Sequence, residues 1–388
     1  MNKNPAPKKR GASGKKTKAL CDLVNVVTVF ALLFGMTIAT SAAPKVKFSE
    51  NQNRYLADPP RLTFKRYFSS AFTDDAENYI SDHFIFHDGF VAMRTRLDML
   101  QGHSDVNGVY ILENRLVEKI APPDDSVTEK SIAAINAVAA GTNTPCYIML
   151  VPTQAQIYSG ELPSDAPNPD QKQYIDDVYA GMNGIGTIDV YSPLSAASNE
   201  YIYYRNDHHW TTQGAYIAYA TAGRRLGYEP FPAAGFDVDH SPEDFRGTFY
   251  SKTLYPDIPA DRLDLYLHPA QEKCVLDVYT DVSGEPAVHE GLYFREFLSR
   301  KDKYSTFLGT NQPKITIHTG NEGGKLLIFK DSYAHCLVPF LAAHYSEITI
   351  ADSRYVQLPY RDYADPDDYD QVLFLYNVST FMDGIRIV

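Results

Sequence analysis

The sequence predicts a three-layer α/β protein, in which a mostly parallel β-sheet lies between helices and follows one N-terminal membrane helix. Apolar stretches of strand length alternate with stretches of helical periodicity, which is typical of βαβ units. The segment Cys146–Val151 is continuously apolar and is followed by a proline, as expected for a strand buried on both faces. Similar strands recur near the C-terminus, at residues 325–329 and 371–376.

The first 43 residues predict where the protein is located. The segment 1–18, expected to be cytoplasmic, contains seven basic residues and precedes an apolar run at residues 23–40 within the segment 19–43. A basic flank followed by such a run is typical of a single span whose N-terminus stays in the cytoplasm. The small residues 41–43 also fit a signal-peptide cleavage site, so a retained anchor and a cleaved signal both remain open. In either case the rest of the chain is expected to be exported.

The exported part of the chain is acidic, and this charge excludes one class of partner. Removing the first 43 residues takes away seven basic residues and one acidic residue, which leaves a formal charge of about −18. Nucleic-acid binding rests on clusters of basic residues, so we expect no nucleic-acid partner. The exported cysteines, Cys146, Cys274 and Cys336, are too few and too scattered for a disulfide framework or a zinc site. We expect no metal and no cofactor.

A polar linker at residues 44–61 precedes the main domain, which is expected over residues 62–388. Periodicity and turn residues predict its first elements. They are helical spacing at 64–100, a hairpin at 108–118, a helix at 126–140, the strand Cys146–Val151, a helix at 170–182, a strand at 186–190 and a helix at 211–226. From about 231 to 314 short β-like pieces replace this alternation, which indicates a small β-rich insertion near the site. The last elements are a strand at 325–329, a helix at 333–345 and strands at 348–350 and 371–376.

The residues Asp207, His208, His209 and Trp210 form the most informative motif of the sequence. A carboxylate two residues from a histidine can orient that imidazole and stabilise its positive charge, as in a nucleophilic triad. Neighbouring side chains in an extended loop point to opposite sides, so Asp207 and His209 share a face and His208 does not. Trp210 either stacks on a sugar ring or packs in the core before the following helix.

A hydroxyl group for such a triad is expected at Ser332, between the strand at 325–329 and the helix at 333–345. A serine at this turn projects beyond the carboxyl end of the sheet, where open α/β folds bind ligands. Its N–H group lies at a helix N-terminus and is able to donate to a developing oxyanion. The alternative is a helix cap, in which Asp331 or Ser332 merely satisfies free N–H groups.

These segments resemble the DHHW proteins of Gram-positive bacteria, which are similar to the periplasmic alginate O-acetyltransferases. The resemblance lies in an Asp-x-His-Trp motif at residues 207–210 and an Asp-Ser-Tyr motif at 331–333, with weaker matches at 108–111, 151–153 and 352–355. It runs from about residue 78 to residue 377 and implies an SGNH-hydrolase-like fold. Lys330 departs from the pattern, because SGNH enzymes commonly carry glycine before Asp-Ser.

The resemblance also implies roles for the candidate residues. Asp207, His209 and Ser332 take the catalytic positions, and His208 takes the variable one. Substrate binding is expected from His208, Trp210, Thr153, Gln154, Arg354 and Tyr333.

Two of these assignments have structural alternatives. Thr153 or Gln154 would donate to the oxyanion from the loop after the strand Cys146–Val151, although a simple loop exit fits equally well. Arg354 would bind a carboxylate or phosphate, although a structural pair with Asp352 is at least as expected.

The expected function is acyl-ester chemistry on a cell-surface glycan, as an O-acetyltransferase with a sugar acceptor or as an esterase with water. A transferase would need a separate multi-span membrane protein to deliver the acyl group, because this chain contains no such segment. Two other classes stay open. One is a non-catalytic polymer-binding protein on the same fold, and the other is a metal-dependent phosphoesterase that uses the Asp-His-His residues as ligands.

Overall fold

The computed structural model describes residues 12–49, 51, 54–61, 63–68 and 70–387 of the 388-residue chain. Most of the predicted cytoplasmic segment, residues 1–11, lies outside the described residues. The chain forms two compact units. The first comprises Met1–Glu50 and Arg54–Val91, and the second comprises Asn51–Asn53 and Ala92–Val388.

The first unit contains a long apolar helix, α1. Its elements are α1 (Ala12–Ala42), β1 (Phe48–Ser49), β2 (Arg54–Tyr55), α2 (Phe64–Tyr67), α3 (Ser70–Asp82) and the start of α4 (His87–Leu100). The stretch Thr17–Ala42 is unburied and has a mean hydropathy of 2.1, so by length and composition it is able to span a membrane or act as a signal. The helical spacing predicted at 64–100 is realised as three helices, because the chain turns after α2 and again at Phe86, whose φ is 59°.

The second unit contains a large mixed sheet with helices on both faces. Its strands are β3 (Asp105–Val106), β4 (Val109–Ile111), β5 (Leu116–Glu118), β6 (Cys146–Val151), β7 (Gly186–Thr187), β8 (Asp237–His240), β9 (Asp264–Leu267), β10 (Val275–Tyr279), β11 (Ala287–Glu290), β12 (Lys314–His318), β13 (Lys325–Lys330), β14 (Glu347–Ala351) and β15 (Gln371–Asn377). Its further helices are α5 (Asp125–Ala140), α6 (Gln154–Ile157), α7 (Gln171–Ala180), α8 (Tyr191–Ala196), α9 (Thr212–Leu226), α10 (Thr248–Thr253), α11 (Ala334–Leu341) and α12 (Val378–Asp383).

The large sheet has eight strands in the order β11-β10-β12-β14-β13-β15-β6-β7. The strands from β14 to β7 are parallel to one another, as the sequence predicts for a sheet of βαβ units. The remaining three strands add an antiparallel edge, which the sequence does not predict. Two of these strands come from the segment 231–314. They join the main sheet because Leu276 and its partner Ile317 each bury a side chain completely.

Alternating side chains of β13 explain why helices cover both faces of the sheet. Leu326 and Ile328 pack into one apolar cluster together with residues of α9 and α11. Leu327 and Phe329 pack into a second cluster together with residues of α5, α7 and α12. Strands that are apolar on both sides need this arrangement to bury all of their surface.

The ends of several elements follow local sequence signals. The Thr211 hydroxyl accepts a hydrogen bond from the N–H of Gly214, and α9 ends at Gly227 with a φ of 81°. The predicted strand at 186–190 is shorter, because the carboxylate of Asp189 accepts from the N–H of Tyr191 and starts α8 instead. Cys146, Cys274 and Cys336 are buried and free.

Three adjacent parallel strands bring the candidate residues to one edge of the sheet. Thr153 follows β6, Ser332 follows β13, and Asn377 is the last residue of β15. Asn377 pairs with Val151, so the carboxyl ends of β15 and β6 are level. In open α/β folds this edge is where ligands bind.

Candidate active site

Asp207 and His209 lie in the loop that precedes α9. Asp207 Oδ1 accepts a hydrogen bond from His209 Nδ1 at 2.6 Å, and Oδ2 accepts from the N–H of Thr248 at 2.7 Å. Burial opposes ionisation of this carboxyl group, but His208, His209 and the N–H donors outweigh it, so the pKa of Asp207 lies below its ordinary value. The carboxylate is therefore charged and fixes the histidine tautomer that carries a proton on Nδ1.

Ser332 lies against the other nitrogen of the same imidazole. Its Oγ is 2.7 Å from His209 Nε2, so Asp207, His209 and Ser332 form one hydrogen-bonded line. Asp331 satisfies the local N–H groups, because its carboxylate accepts from Tyr333 at 2.9 Å and from Asn377 at 2.7 Å. The Ser332 hydroxyl is thus not required as a helix cap.

The ring of Tyr304 covers one face of the His209 imidazole. The two rings are stacked with centroids 3.6 Å apart and an angle of 9° between their planes. The Tyr304 hydroxyl donates to the carbonyl oxygen of Ser332 at 3.2 Å. One tyrosine therefore contacts both the imidazole of the histidine and the backbone of the serine.

Two reciprocal hydrogen bonds join the loop of His209 to the turn of Ser332. Trp210 Nε1 donates to the carbonyl oxygen of Tyr333 at 3.1 Å, and the Tyr333 hydroxyl donates to the carbonyl oxygen of His208. Trp210 is completely buried, so its expected stacking on a sugar ring is wrong and the core-packing alternative is correct. In this motif the tryptophan therefore serves to join the loop of His209 to the turn of Ser332.

A cavity of about 260 Å³ opens beside Ser332. Five of the predicted substrate-binding residues line it: Thr153, Gln154, His208, Tyr333 and Arg354. Ser332 and Asn377, the last residue of β15, also line the cavity, and six further lining residues are not among the predicted candidates. They are Glu118, Thr248, Phe249, Lys252, Ser379 and Thr380.

Thr153 and Gln154 are largely committed to contacts within the protein. The N–H of Thr153 donates to Gln171 Oε1 at 2.9 Å, and the Thr153 hydroxyl accepts from Gln171 Nε2 at 2.7 Å. Gln154 Nε2 donates to the carbonyl oxygen of Asp207 at 2.9 Å. The hydroxyl proton of Thr153 remains available to a substrate oxygen, whereas Gln154 supports the loop that carries Asp207.

Arg354 forms the structural pair with Asp352 that the sequence suggested, and it also lines the cavity. Its guanidinium donates twice to Asp352, at 2.8 and 2.6 Å, and its side chain is 41% exposed at the cavity wall. Asp352 is completely buried and also accepts from Lys330 Nζ at 3.1 Å. Lys330 is buried too and donates further to Asn311 and His335, so its ammonium group is fully satisfied. The lysine before Asp331 therefore belongs to an ionic cluster behind the turn.

His208 lies in the cavity wall with its side chain 35% exposed. Its Nδ1 is 3.6 Å from Asp207 Oδ1, which is beyond hydrogen-bond length. Desolvation and the neighbouring His209 lower the pKa of His208. A neutral imidazole facing the cavity is able to contact substrate but is not aligned with Ser332.

Ligand atoms of Asp207, His208 and His209 lie within 4.8 Å of one another, so this group is also the arrangement a metal ion would use. Both nitrogens of His209 and both oxygens of Asp207 already have hydrogen-bond partners. A metal ion would have to displace these partners. The donor set therefore fits the hydrogen-bonded line better than it fits a metal.

Several supporting residues carry no recognisable sequence signal. Asp261 is completely buried and accepts from the N–H groups of Arg205 and Asn206, each at 2.8 Å, which shapes the loop before Asp207. Thr248 and Tyr304 both belong to the segment 231–314. The sequence indicated their proximity to the site only through the expectation that the segment 231–314 lies near it.

The fold and the site together define an α/β protein with a Ser-His-Asp arrangement at the carboxyl edge of its sheet. The model of the DHHW protein family matches residues 103–351, and the chain belongs to this family. No curated protein matches the sequence.

Two solved structures are similar in fold to this chain, and a third is less similar. A DHHW family protein from Eubacterium siraeum is 24% identical, with a TM-score of 0.62 over 73% of this chain and 97% of that chain. PatB1 of Bacillus cereus, solved with a sulfonyl adduct, is 19% identical, with a TM-score of 0.59 over 70% of this chain and 95% of that chain. The O-acetyltransferase domain of Pseudomonas putida AlgJ is 14% identical over 72% of this chain and 94% of that chain, with a lower TM-score of 0.44.

Proposed function

We propose that this protein is an extracytoplasmic enzyme that transfers or hydrolyses acyl esters on a cell-surface glycan and is held to the membrane by α1. Ser332 is the nucleophile, His209 is the general base and Asp207 orients the base. The observation that carries this function is the hydrogen-bonded line of 2.6 and 2.7 Å from Asp207 through His209 to the Ser332 hydroxyl. The motif order and this constellation also favour an SGNH-like catalytic domain.

The chemistry follows from the positions of the protons. His209 Nε2 removes the hydroxyl proton as Ser332 Oγ attacks the acyl carbonyl carbon, and the Nδ1 proton stays on the imidazole facing Asp207. The tetrahedral intermediate then collapses, and the imidazolium returns its proton to the departing alcohol. The acyl group remains on Ser332 as an ester. An acceptor hydroxyl, deprotonated by the same histidine, then bonds to the acyl carbon, the bond from that carbon to Ser332 Oγ breaks, and the imidazolium returns the proton to Ser332 Oγ.

The developing oxyanion needs hydrogen-bond donors near Ser332. One candidate donor is the backbone N–H of Ser332, in the turn before α11, and another is the side chain of Asn377, which lines the same cavity. Asn377 Nδ2 uses one proton on the carbonyl oxygen of Val151 at 3.2 Å, which leaves its second proton free to donate. We assign the oxyanion site to Ser332, Asn377 and the Thr153 hydroxyl. Removing one donor of this kind costs about 10²–10³ in kcat.

The acceptor decides between the two reactions, since water gives an esterase and a sugar hydroxyl gives a transferase. Arg354, His208 and Tyr333 line the cavity beside Ser332 and would contact the acceptor or the acyl donor. A transferase of this kind would receive its acyl group from a multi-span membrane partner. Retention of α1 would place both proteins in the same membrane.

Covalent labelling tests the nucleophile directly. The wild-type protein should react with a fluorophosphonate or a sulfonyl fluoride and should cleave a small acetyl ester, whereas Ser332→Ala should do neither. Ser379→Ala is a matched control, because Ser379 lines the same cavity but does not contact His209. Labelling that persists in Ser332→Ala would place the nucleophile elsewhere. A wild-type protein that neither labels nor cleaves would favour a polymer-binding protein on the same fold.

A metal-dependent phosphoesterase is the second candidate, because the ligand atoms of Asp207, His208 and His209 lie close together. In that case the three residues would hold an ion that activates water. The two functions make opposite predictions for a chelator, since the triad uses no metal.

A further inference from the structure

Four large apolar side chains are exposed around the C-terminal end of α1. Val46 is 55% exposed, Tyr55 80%, Ile80 58% and Phe86 73%. We call these four residues the collar. Scattered apolar side chains are ordinary on protein surfaces, but a group of large ones in one place marks an interaction site.

Hydrogen bonds join the segments that carry the collar to one another and to the last turn of α1. The N–H of Ile85, next to Phe86, donates to the hydroxyl of Thr40 at 3.2 Å. His83 Nε2 is 3.2 Å from the carbonyl oxygen of Val46, four residues beyond the end of α1. Further along, the N–H of Ala57 donates to Asp82 Oδ2 at 2.8 Å. The collar therefore lies on segments attached near the end of an apolar helix of spanning length.

Phe86 provides a second, independent observation. It lies between α3 and α4 with a φ of 59°, in the left-handed region that costs a non-glycine residue roughly 1–2 kcal/mol. Such strain is usually retained where it serves a function. Here the strained backbone presents a large aromatic ring outwards, which in water would bring no compensating gain.

We propose that the collar lies in the boundary between headgroups and acyl chains of the membrane leaflet that α1 leaves. This inference rests on the proposed retention of α1 as an anchor. Aromatic side chains are favourable at this depth, and apolar side chains gain by leaving water. The first unit would then rest on the bilayer instead of moving freely at the end of its helix.

Tryptophan fluorescence measures the depth of the collar in the full-length protein in liposomes. The sequence contains one tryptophan, Trp210, which is completely buried and gives a constant background that can be subtracted. Phe86→Trp and Tyr55→Trp report on the collar. Phe30→Trp reports on the middle of α1, and Val288→Trp is the control, an apolar side chain on β11 that is 68% exposed.

Lipids brominated near the headgroup should quench most of the added emission of Phe86→Trp and Tyr55→Trp, and lipids brominated deep in the acyl chain should quench Phe30→Trp. Emission from Val288→Trp should stay unquenched. Collar tryptophans quenched no more than Val288→Trp, with Phe30→Trp still quenched, would overturn the inference and leave the anchor. An unquenched Phe30→Trp would overturn both the position of the collar and the retention of α1 as an anchor. It would not bear on the chemistry of Ser332.

Discussion

Replacing Gly247 with alanine should lower activity, although it leaves the three side chains of the hydrogen-bonded line (Asp207, His209 and Ser332) unsubstituted. A Cβ atom at Gly247 would lie 2.1 Å from Asp207 Oδ2 and 2.5 Å from Asp207 Cβ. A carbon and an oxygen in contact are about 3.3 Å apart, so the carboxylate would have to move by roughly 1 Å. Asp207 is buried and cannot swing into solvent, so this shift breaks the 2.6 Å hydrogen bond to His209.

The expected loss follows from what the carboxylate does. Losing the correct tautomer and orientation of the base costs about 10⁴ in kcat in a serine protease, so we expect roughly 10³-fold, or about 4 kcal/mol, for a displaced Asp207. The assay is kcat/KM for a small acetyl ester, with thermal unfolding measured in parallel. Gly284→Ala is the matched control, because its Cβ would meet nothing closer than 3.5 Å. Near wild-type activity in Gly247→Ala would refute the role of Asp207.

The remaining predictions concern the base, metal dependence and pH. His209→Ala should lower ester hydrolysis by about 10³ or more, and His208→Ala far less, since only His209 contacts Ser332; a reversed order in kcat would move the base to His208. Prolonged chelation should leave hydrolysis unchanged, and activity restored by zinc or manganese would instead favour the phosphoesterase. Burial and Lys330 keep the pKa of His335 well below its ordinary value. As the pH falls below about 6.5, His335 therefore takes up a proton in the unfolded chain but not in the folded protein, and the free energy of unfolding decreases. Urea unfolding at two pH values should show this loss, and His335→Gln should reduce it.

The fold was predictable wherever local signals agree. The strand Cys146–Val151 is apolar throughout, and the helix Thr212–Leu226 has both a threonine cap and a terminal glycine, so periodicity and caps indicate the same elements. The antiparallel edge of the sheet was not predictable. The strand Val275–Tyr279 has five residues and no clear alternation, and its partner is set by long-range packing that composition does not encode.

The three residues of the hydrogen-bonded line were predictable from the sequence, whereas the residues that hold them in place were not. An acid two residues from a histidine and a serine at a strand end are local patterns, and the structure brings Asp207, His209 and Ser332 together. Tyr304 and Gly247 are single residues without a pattern, so their proximity appears only after folding. Trp210 was ambiguous because a tryptophan beside a histidine fits both a glycan cleft and a core.

The two hydrogen bonds that link Trp210 to Tyr333 and Tyr333 to His208 have a consequence for how a substrate enters the cavity. Because these bonds use backbone carbonyls and completely or almost completely buried rings, we expect this part of the cavity wall to be rigid. The cavity is also lined by Lys252 and Glu118, whose side chains are 40% and 29% exposed and pair at 3.2 Å. An exposed pair of this kind is worth less than about 1 kcal/mol, so we expect this pair to separate when a substrate enters.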